Sequence, residues 1–317
     1  MEHFLCHSVY QETDGVFGPD PLKTMREIGC DGIELLTGYF PVPEEYRPFA
    51  KSVHLPYAAD WRRAWTGKEL PDTDGETARY LMYGKNPDEI TDNLALAISV
   101  ASGLRPPYGV LHAGNVSLKE ITLRRHGEGD REVLTDFCEM VNSAVSRFPG
   151  GRPPFTLAME NLWWPGLRMI GNGGAEFLEK HLEFENWAIC LDTGHLLNCL
   201  PDIRTEEGAV ESLLKVFDGY GSGTKDRIKV MHLHVSLSSD YRETFEEKEW
   251  DSSASLPENM ERAGKHISNV DRHQPFSVSS CVKLTDALYP DYVTHEMIGS
   301  DPGTVLGRFR KQRSHFP

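Results

Sequence analysis

Positive charge, paired cysteines and long apolar runs are all scarce in this chain of 317 residues. Lys and Arg number 33 against 48 Asp and Glu, a formal net charge of −15. A surface this acidic repels phosphate backbones, so nucleic acid is disfavoured as a partner. Solubility alone accounts for most of the excess, and one local basic patch is expected around Arg62, Arg63 and Lys68. The six cysteines (Cys6, Cys30, Cys138, Cys190, Cys199 and Cys281) are scattered, with no C-x-x-C pair. That spacing excludes a Cys zinc site and a disulfide framework, and leaves buried small hydrophobes. No apolar run approaches the roughly 20 residues needed to cross a bilayer, so no membrane is expected. The opening MEHFLCHSVY lacks a basic segment followed by a long apolar one, so no signal peptide is read and a cytoplasmic location is expected. No G-x-G-x-x-G or G-x-x-x-x-G-K-[ST] follows a strand candidate, and no short-period repeat or low-complexity tract is seen.

What the chain does have is alternation. Hydrophobic residues make up 39%, enough for a sizeable core. Strand candidates are HFLCHS, DGIELL, KSVHLP, YGVLHAG, FTLAMEN, WAICLD, KVMHLHVS and DYVTHEMI. Amphipathic patterns predict helices over Pro21–Cys30, Pro87–Ser102, Arg131–Phe148, Ala175–Leu182, Glu206–Phe217 and Thr304–Lys311. Strand–helix alternation implies a parallel sheet, and eight strands in this length imply an α/β fold of the (β/α)8 TIM-barrel type in one domain, 1–317. A doubly wound open sheet is the competitor, weakened by the missing glycine motifs. Two connections read as long loops, near 57–86 and 237–268.

Side chains on a strand alternate between faces. In TLAMEN, Glu160 shares a face with Thr156 and Ala158; in AICLD, Asp192 sits with Ala188 and Cys190. The same reading puts His54, His112, His232, His234 and Glu296 opposite large aliphatics, near the C-terminal ends of their strands. In a (β/α)8 barrel those ends converge on one pocket. So many acids and imidazoles cannot share a confined site without compensation, because burying charge is costly. Divalent cations supply it, and carboxylate with imidazole suits zinc first, with manganese or cobalt as alternatives. Each element alone has a bland reading: a strand-end His is often just hydrogen-bonded, and Glu160-Asn161 alone reads as a turn. Asp192-Thr193-Gly194 matches an aspartic-protease signature, but such enzymes need paired carboxylates and this chain has one copy. His295 faces the helices and is read as a packing residue. Asp271-Arg272-His273 offers two more ligands, with His195 a possible third; a surface turn is the competing reading.

The order VHLPY, LHAGN, MENLWWPG, CLDTGH, HLHVS, DRH and HEM resembles the xylose-isomerase-like barrel superfamily over about Asp31 to Glu296. That group includes sugar and sugar-phosphate isomerases and epimerases and the endonuclease-IV-type phosphodiesterases (AP endonuclease family 2). In the isomerase branch, the resemblance implies one metal held by Glu160, Asp192, a strand-seven His and Glu296, with the two glutamates moving protons. In the phosphodiesterase branch it implies up to three ions: one on His54, His112 and Glu160, one on Glu160, Asp192, His234 and Glu296, and one on His195, Asp271 and His273. H-V-S favours His234 on strand seven, with His232 close behind. The QPFSVSS that follows Asp-Arg-His replaces the Gly-rich turn common in the family.

The expectation is a metal-dependent hydrolase of a small phosphoester, of the cobamide-remodelling kind by analogy, with Glu160 and Glu296 catalytic. The alternative is a one-metal isomerase or epimerase; a barrel with an incomplete metal site that only binds is the third reading. His232, Asn161, Trp61 and Arg272 are expected to touch a small-molecule substrate. Oligomeric state is left open.

Overall fold

The computed structural model describes residues 1–11, 13–123, 126–245, 251–299 and 301–317. Its strands are β1 (Glu2–Ser8), β2 (Gly32–Leu36), β3 (Ala50–His54), β4 (Tyr108–His112), β5 (Thr156–Glu160), β6 (Trp187–Asp192), β7 (Ile228–His232) and β8 (Tyr292–His295). All neighbours pair in parallel, and β8 pairs back onto β1 to close the barrel. The open-sheet alternative is thereby excluded.

Period-two alternation explains why the sheet closes with helices outside. Leu5, Ile33, Leu35, Val53, Leu111, Leu157, Met159, Ile189, Leu191, Met231 and Val293 point outward into the helix layer and are fully buried. Each such side chain contributes roughly 1.5–3 kcal/mol by leaving water. The inward faces are layered. Phe4, Tyr108, Val110, Ala158, Cys190 and Val230 fill the lower interior as a small apolar plug. Above them the inward positions turn polar.

The predicted helices are present with small shifts. The second helix runs Pro21–Ile28, capped by the Asp20 side chain and ended by Gly29 at φ 70°, a left-handed turn that glycine adopts freely. The others run Pro87–Ser102, Asp130–Val145, Gly173–His181, Glu206–Asp218 and Pro302–Arg313. The two long connections are not plain loops. The first carries helices Trp61–Trp65 and Gly75–Met82; the second carries Ser239–Thr244 and Leu256–Val270. Residues 246–250 of the second lie outside the described residues.

Two surface expectations change. Arg62 pairs with Glu128 and Asp136, Lys68 with Glu128, and Arg63 lies 3.3 Å from Asp60, so the basic patch is neutralised. Trp61 is not at the substrate mouth: it is buried, packs on Phe137 and donates its Nε1–H to the Gly114 carbonyl at 2.8 Å. All six cysteines are free. Among the described residues no helix is long and apolar enough to cross a membrane.

Candidate metal centre

The parallel register brings the strand ends level. Glu160 pairs with His112 across β4 and β5, and Asp192 pairs with His232 across β6 and β7. His54 closes the approach from β3. Three donor groups result, each with ligand atoms within 4.8 Å of one another: His54–His112–Glu160, Glu160–Asp192–His195 and His195–Asp271–His273. His234, His273 and Glu296 form another. Glu160 joins the first two: one carboxylate oxygen lies 3.2 Å from His54 and 3.3 Å from His112, the other 3.2 Å from His195.

β7 ends at His232 and β8 at His295, so His234 and Glu296 stand on the loops beyond their strands. His234 still reaches the centre: its Nε2 is 2.9 Å from Asp192, and its ring stacks on His273 at 4.1 Å and 6°. A Cβ on Gly194 would collide with the His234 imidazole, so glycine is needed there. Asp192 ends β6 and caps the next helix, one oxygen accepting from the His195 N–H at 2.6 Å while the other faces His234. His273 sits at φ 44°, a left-handed conformation that a non-glycine residue holds only when its surroundings enforce it. The enforcement is visible. Val235 and Gln274 form an isolated antiparallel bridge that brings the Asp271–His273 segment back to the end of β7. Ser236 donates to Asp271 at 3.0 Å and accepts the Arg272 N–H at 2.9 Å.

No family model and no curated protein sequence matches the chain. Solved structures do. Endonuclease IV from Thermus thermophilus aligns over 99% of this chain and 98% of its own, at TM-score 0.54 and 15% identity. A D-tagatose 3-epimerase-like protein aligns over 99% and 97%, at 0.54 and 12%. A putative xylose isomerase from Rhodospirillum rubrum covers both chains fully, at 0.53 and 11%. The chain shares its barrel fold with these proteins. At such identities the likeness is one of architecture, and the chemistry has to come from the side chains.

In this barrel those side chains fit divalent ions. His54 Nδ1 lies 2.8 Å from the Leu55 carbonyl and His195 Nδ1 2.8 Å from the Asn161 carbonyl. A carbonyl can only accept, so each Nδ1 carries the proton. Each Nε2 lone pair then points at a carboxylate, Glu160 or Asp271, both at 3.2 Å. Lone pair facing lone pair is repulsive unless a proton or a metal cation lies between. The titration shifts carry the same demand. Burial works against charge on His54 and His195, but Glu160 outweighs it at His54, and Asp192 with Asp271 at His195, so both are raised. Burial also opposes the charge on His273, and Asp271 outweighs it, to about 9. His112 is the exception, lowered because burial outweighs Glu160. Glu160, Asp271 and Glu296 resist burial and are held below the usual carboxylate range by the surrounding imidazoles.

Beneath the centre lies a residue that sequence reading missed, Glu34 on β2. One oxygen is 2.9 Å from His232 Nε2; the other accepts from Tyr108 at 2.8 Å and Thr294 at 3.0 Å. His232 Nδ1 is 3.1 Å from Glu296, yet neither ring nitrogen has a well-directed hydrogen bond. His232 therefore bridges Glu34 and Glu296 under the donors. Two other expected substrate contacts are also placed elsewhere. Asn161 is fully buried, its amide spent on the Asp192 backbone at 3.0 and 2.8 Å. Arg272 is exposed, with Nη1 3.4 Å from the Leu237 carbonyl, and does not line the cavity above the donors. His295 faces outward as expected, bonded to His3 at 3.0 Å and Gln312 at 2.8 Å.

Proposed function

We propose that this chain is a divalent-metal-dependent hydrolase of a small phosphoester, working at the barrel mouth with two or three ions, zinc first among candidates. The observation that carries this reading is the surplus of donors. A one-metal isomerase needs only Glu160, Asp192, His234 and Glu296. Here His54 and His112 flank that set on one side and meet it at Glu160, His195, Asp271 and His273 flank it on the other, and the Asp271–His273 segment is held by its own backbone bridge. Bound ions would supply positive charge to a phosphoryl transition state and acidify an attacking water. The chain's own residues do the rest. Glu160 spans neighbouring donor groups, so it fixes their spacing. His54 and His195 are locked in one tautomer by carbonyls, so each presents Nε2 to the centre. Glu296, ionised and partly open to the cavity, can accept a hydrogen bond from water and orient it. Tyr57, stacked on His112 at 4.5 Å, and Trp163, 4.9 Å from His195, cover the imidazoles from solvent.

A second reading is supported by the fold relatives, since two of the three named above carry sugar epimerase or isomerase names. Glu160 and Glu296 would then transfer a proton on a sugar held by one ion. Metal content separates the two. Protein purified without chelator, analysed by elemental mass spectrometry, should hold two to three equivalents and cleave bis(p-nitrophenyl) phosphate. One equivalent, no diester cleavage and interconversion of ketose epimers would replace the first reading by the second.

A further inference from the structure

The donors form the floor of a cavity of about 750 Å³, the size of a small-molecule site. Its walls are uneven in character. Among the described residues, not one Lys or Arg lines it, whereas Glu34, Glu160, Asp271, Glu296 and Asp301 do. On the side where β8 meets β1, Val16, Met297, Ile298 and Val305 make an apolar wall. Ile298 is 56% exposed, so this wall offers apolar surface that a ligand can cover.

Charge balance turns this into a specificity statement. Glu160, Asp192, Asp271 and Glu296 bring four negative charges to the donors; Glu34 is matched by His232. Three divalent ions would outweigh the four by two positive charges, room for one diester monoanion together with the hydroxide that attacks it. A second anionic group on the same ligand, placed on the β8–β1 side, would meet Asp301 and the aliphatic wall, with no Lys or Arg among the described lining residues to offset its desolvation.

We propose that the cavity takes a ligand with a single anionic group at the metal donors and an uncharged, apolar body lying on the Val16–Met297–Ile298–Val305 wall. Sugar bisphosphates, nucleoside polyphosphates and other ligands with a remote anion are excluded by the same wall. The three-ion charge balance and the identity of the anionic group as a phosphodiester rest on the hydrolase reading; the apolar wall and the acidic lining without a described Lys or Arg do not.

The test uses calorimetric binding to the zinc-loaded protein, with turnover of bis(p-nitrophenyl) phosphate measured separately. The probes are dimethyl phosphate, diphenyl phosphate and phenyl 4-carboxyphenyl phosphate, alike in their diester charge. Diphenyl phosphate should bind at least about tenfold more tightly than dimethyl phosphate, from apolar area alone. The remote carboxylate should lower affinity at least about tenfold, and Ile298→Lys should restore much of that loss. Equal binding of dimethyl and diphenyl phosphate, no binding of either, or carboxylate binding undiminished would each overturn the proposal. If the binding order holds and no diester is cleaved, the hydrolase reading falls and this inference stands. If diesters are cleaved without the order, the reverse is true.

Discussion

Two sets of buried histidines lie on opposite faces of the same sheet, and they are held in opposite states. At the mouth, His54, His195, His232 and His273 stand among Glu34, Glu160, Asp192, Asp271 and Glu296 and are raised despite burial, with His112 alone lowered by it. Outside the barrel, His3 and His295 touch each other and lie near Arg313. Burial, with Arg313 added, lowers His3 to about 4; burial, His3 and Arg313 lower His295 well below its ordinary value. Residue type and depth are shared, so the neighbours decide. The outer pair is packing with its polar atoms satisfied; the mouth set is a group of donors still asking for positive charge.

The comparison can be broken most severely at Glu160. Glu160→Ala removes the carboxylate shared by neighbouring donor groups. Activity should fall at least about 10³-fold, with loss of bound metal seen by elemental analysis; a full rate with full metal content would dismantle the centre. Next in size is His273→Ala, which should lower hydrolysis about 10²-fold and release close to one ion per chain. An isomerase using only the central four donors would lose far less, so the kcat of this variant sharpens the choice of reaction. Smaller again is Glu34→Gln. It keeps the hydrogen bonds to Tyr108 and Thr294 but removes the charge under His232, and zinc affinity by competition with a chelator should weaken about tenfold.

The smallest effects are in acid and base titrations of stability, and they should have opposite signs. Folding holds His3 near 4 instead of 6.5. The unfolded chain therefore binds more protons between those values, so this contribution is whole above pH 6.5 and lost as pH falls toward 4. His3→Gln should flatten that part of a urea-midpoint profile. In metal-free protein His273 is held near 9. Its contribution is whole below pH 6.5 and lost as pH rises through 9, and adding zinc should erase that slope.

Much of this was legible in the sequence because a barrel strand announces itself twice. Aliphatics on one parity mark the helix side, and His, Asp or Glu near the end of the other parity mark the mouth. That suffices for β3 to β6 and for the meeting of His54, His112, Glu160 and Asp192 at one end of the barrel. Glu34 escaped because it sits in mid-strand, between Ile33 and Leu35, where a terminal ligand is not sought. The parity that placed Glu160 inward also places Glu34 inward. Trp61 misled because an aromatic residue in a long connection reads as rim, while its burial depends on Phe137, far along the chain. The helices Trp61–Trp65 and Ser239–Thr244 have 5 and 6 residues, too short to show a helical period. Nor could spacing reveal the Val235–Gln274 bridge that carries Asp271 and His273 back to the centre.

At the β6 corner, Asp192 closes the strand and caps the helix that begins at Thr193, with no residue between. In evolutionary terms that corner is frozen. An insertion there would pull a donor away from Glu160 and His234 and uncap a helix in one event. Innovation has to enter where chain length is cheap, through the connections at 57–86 and 237–268. Descendants of this barrel should therefore differ in what their cavities accept far more than in the His, Asp and Glu set at the mouth.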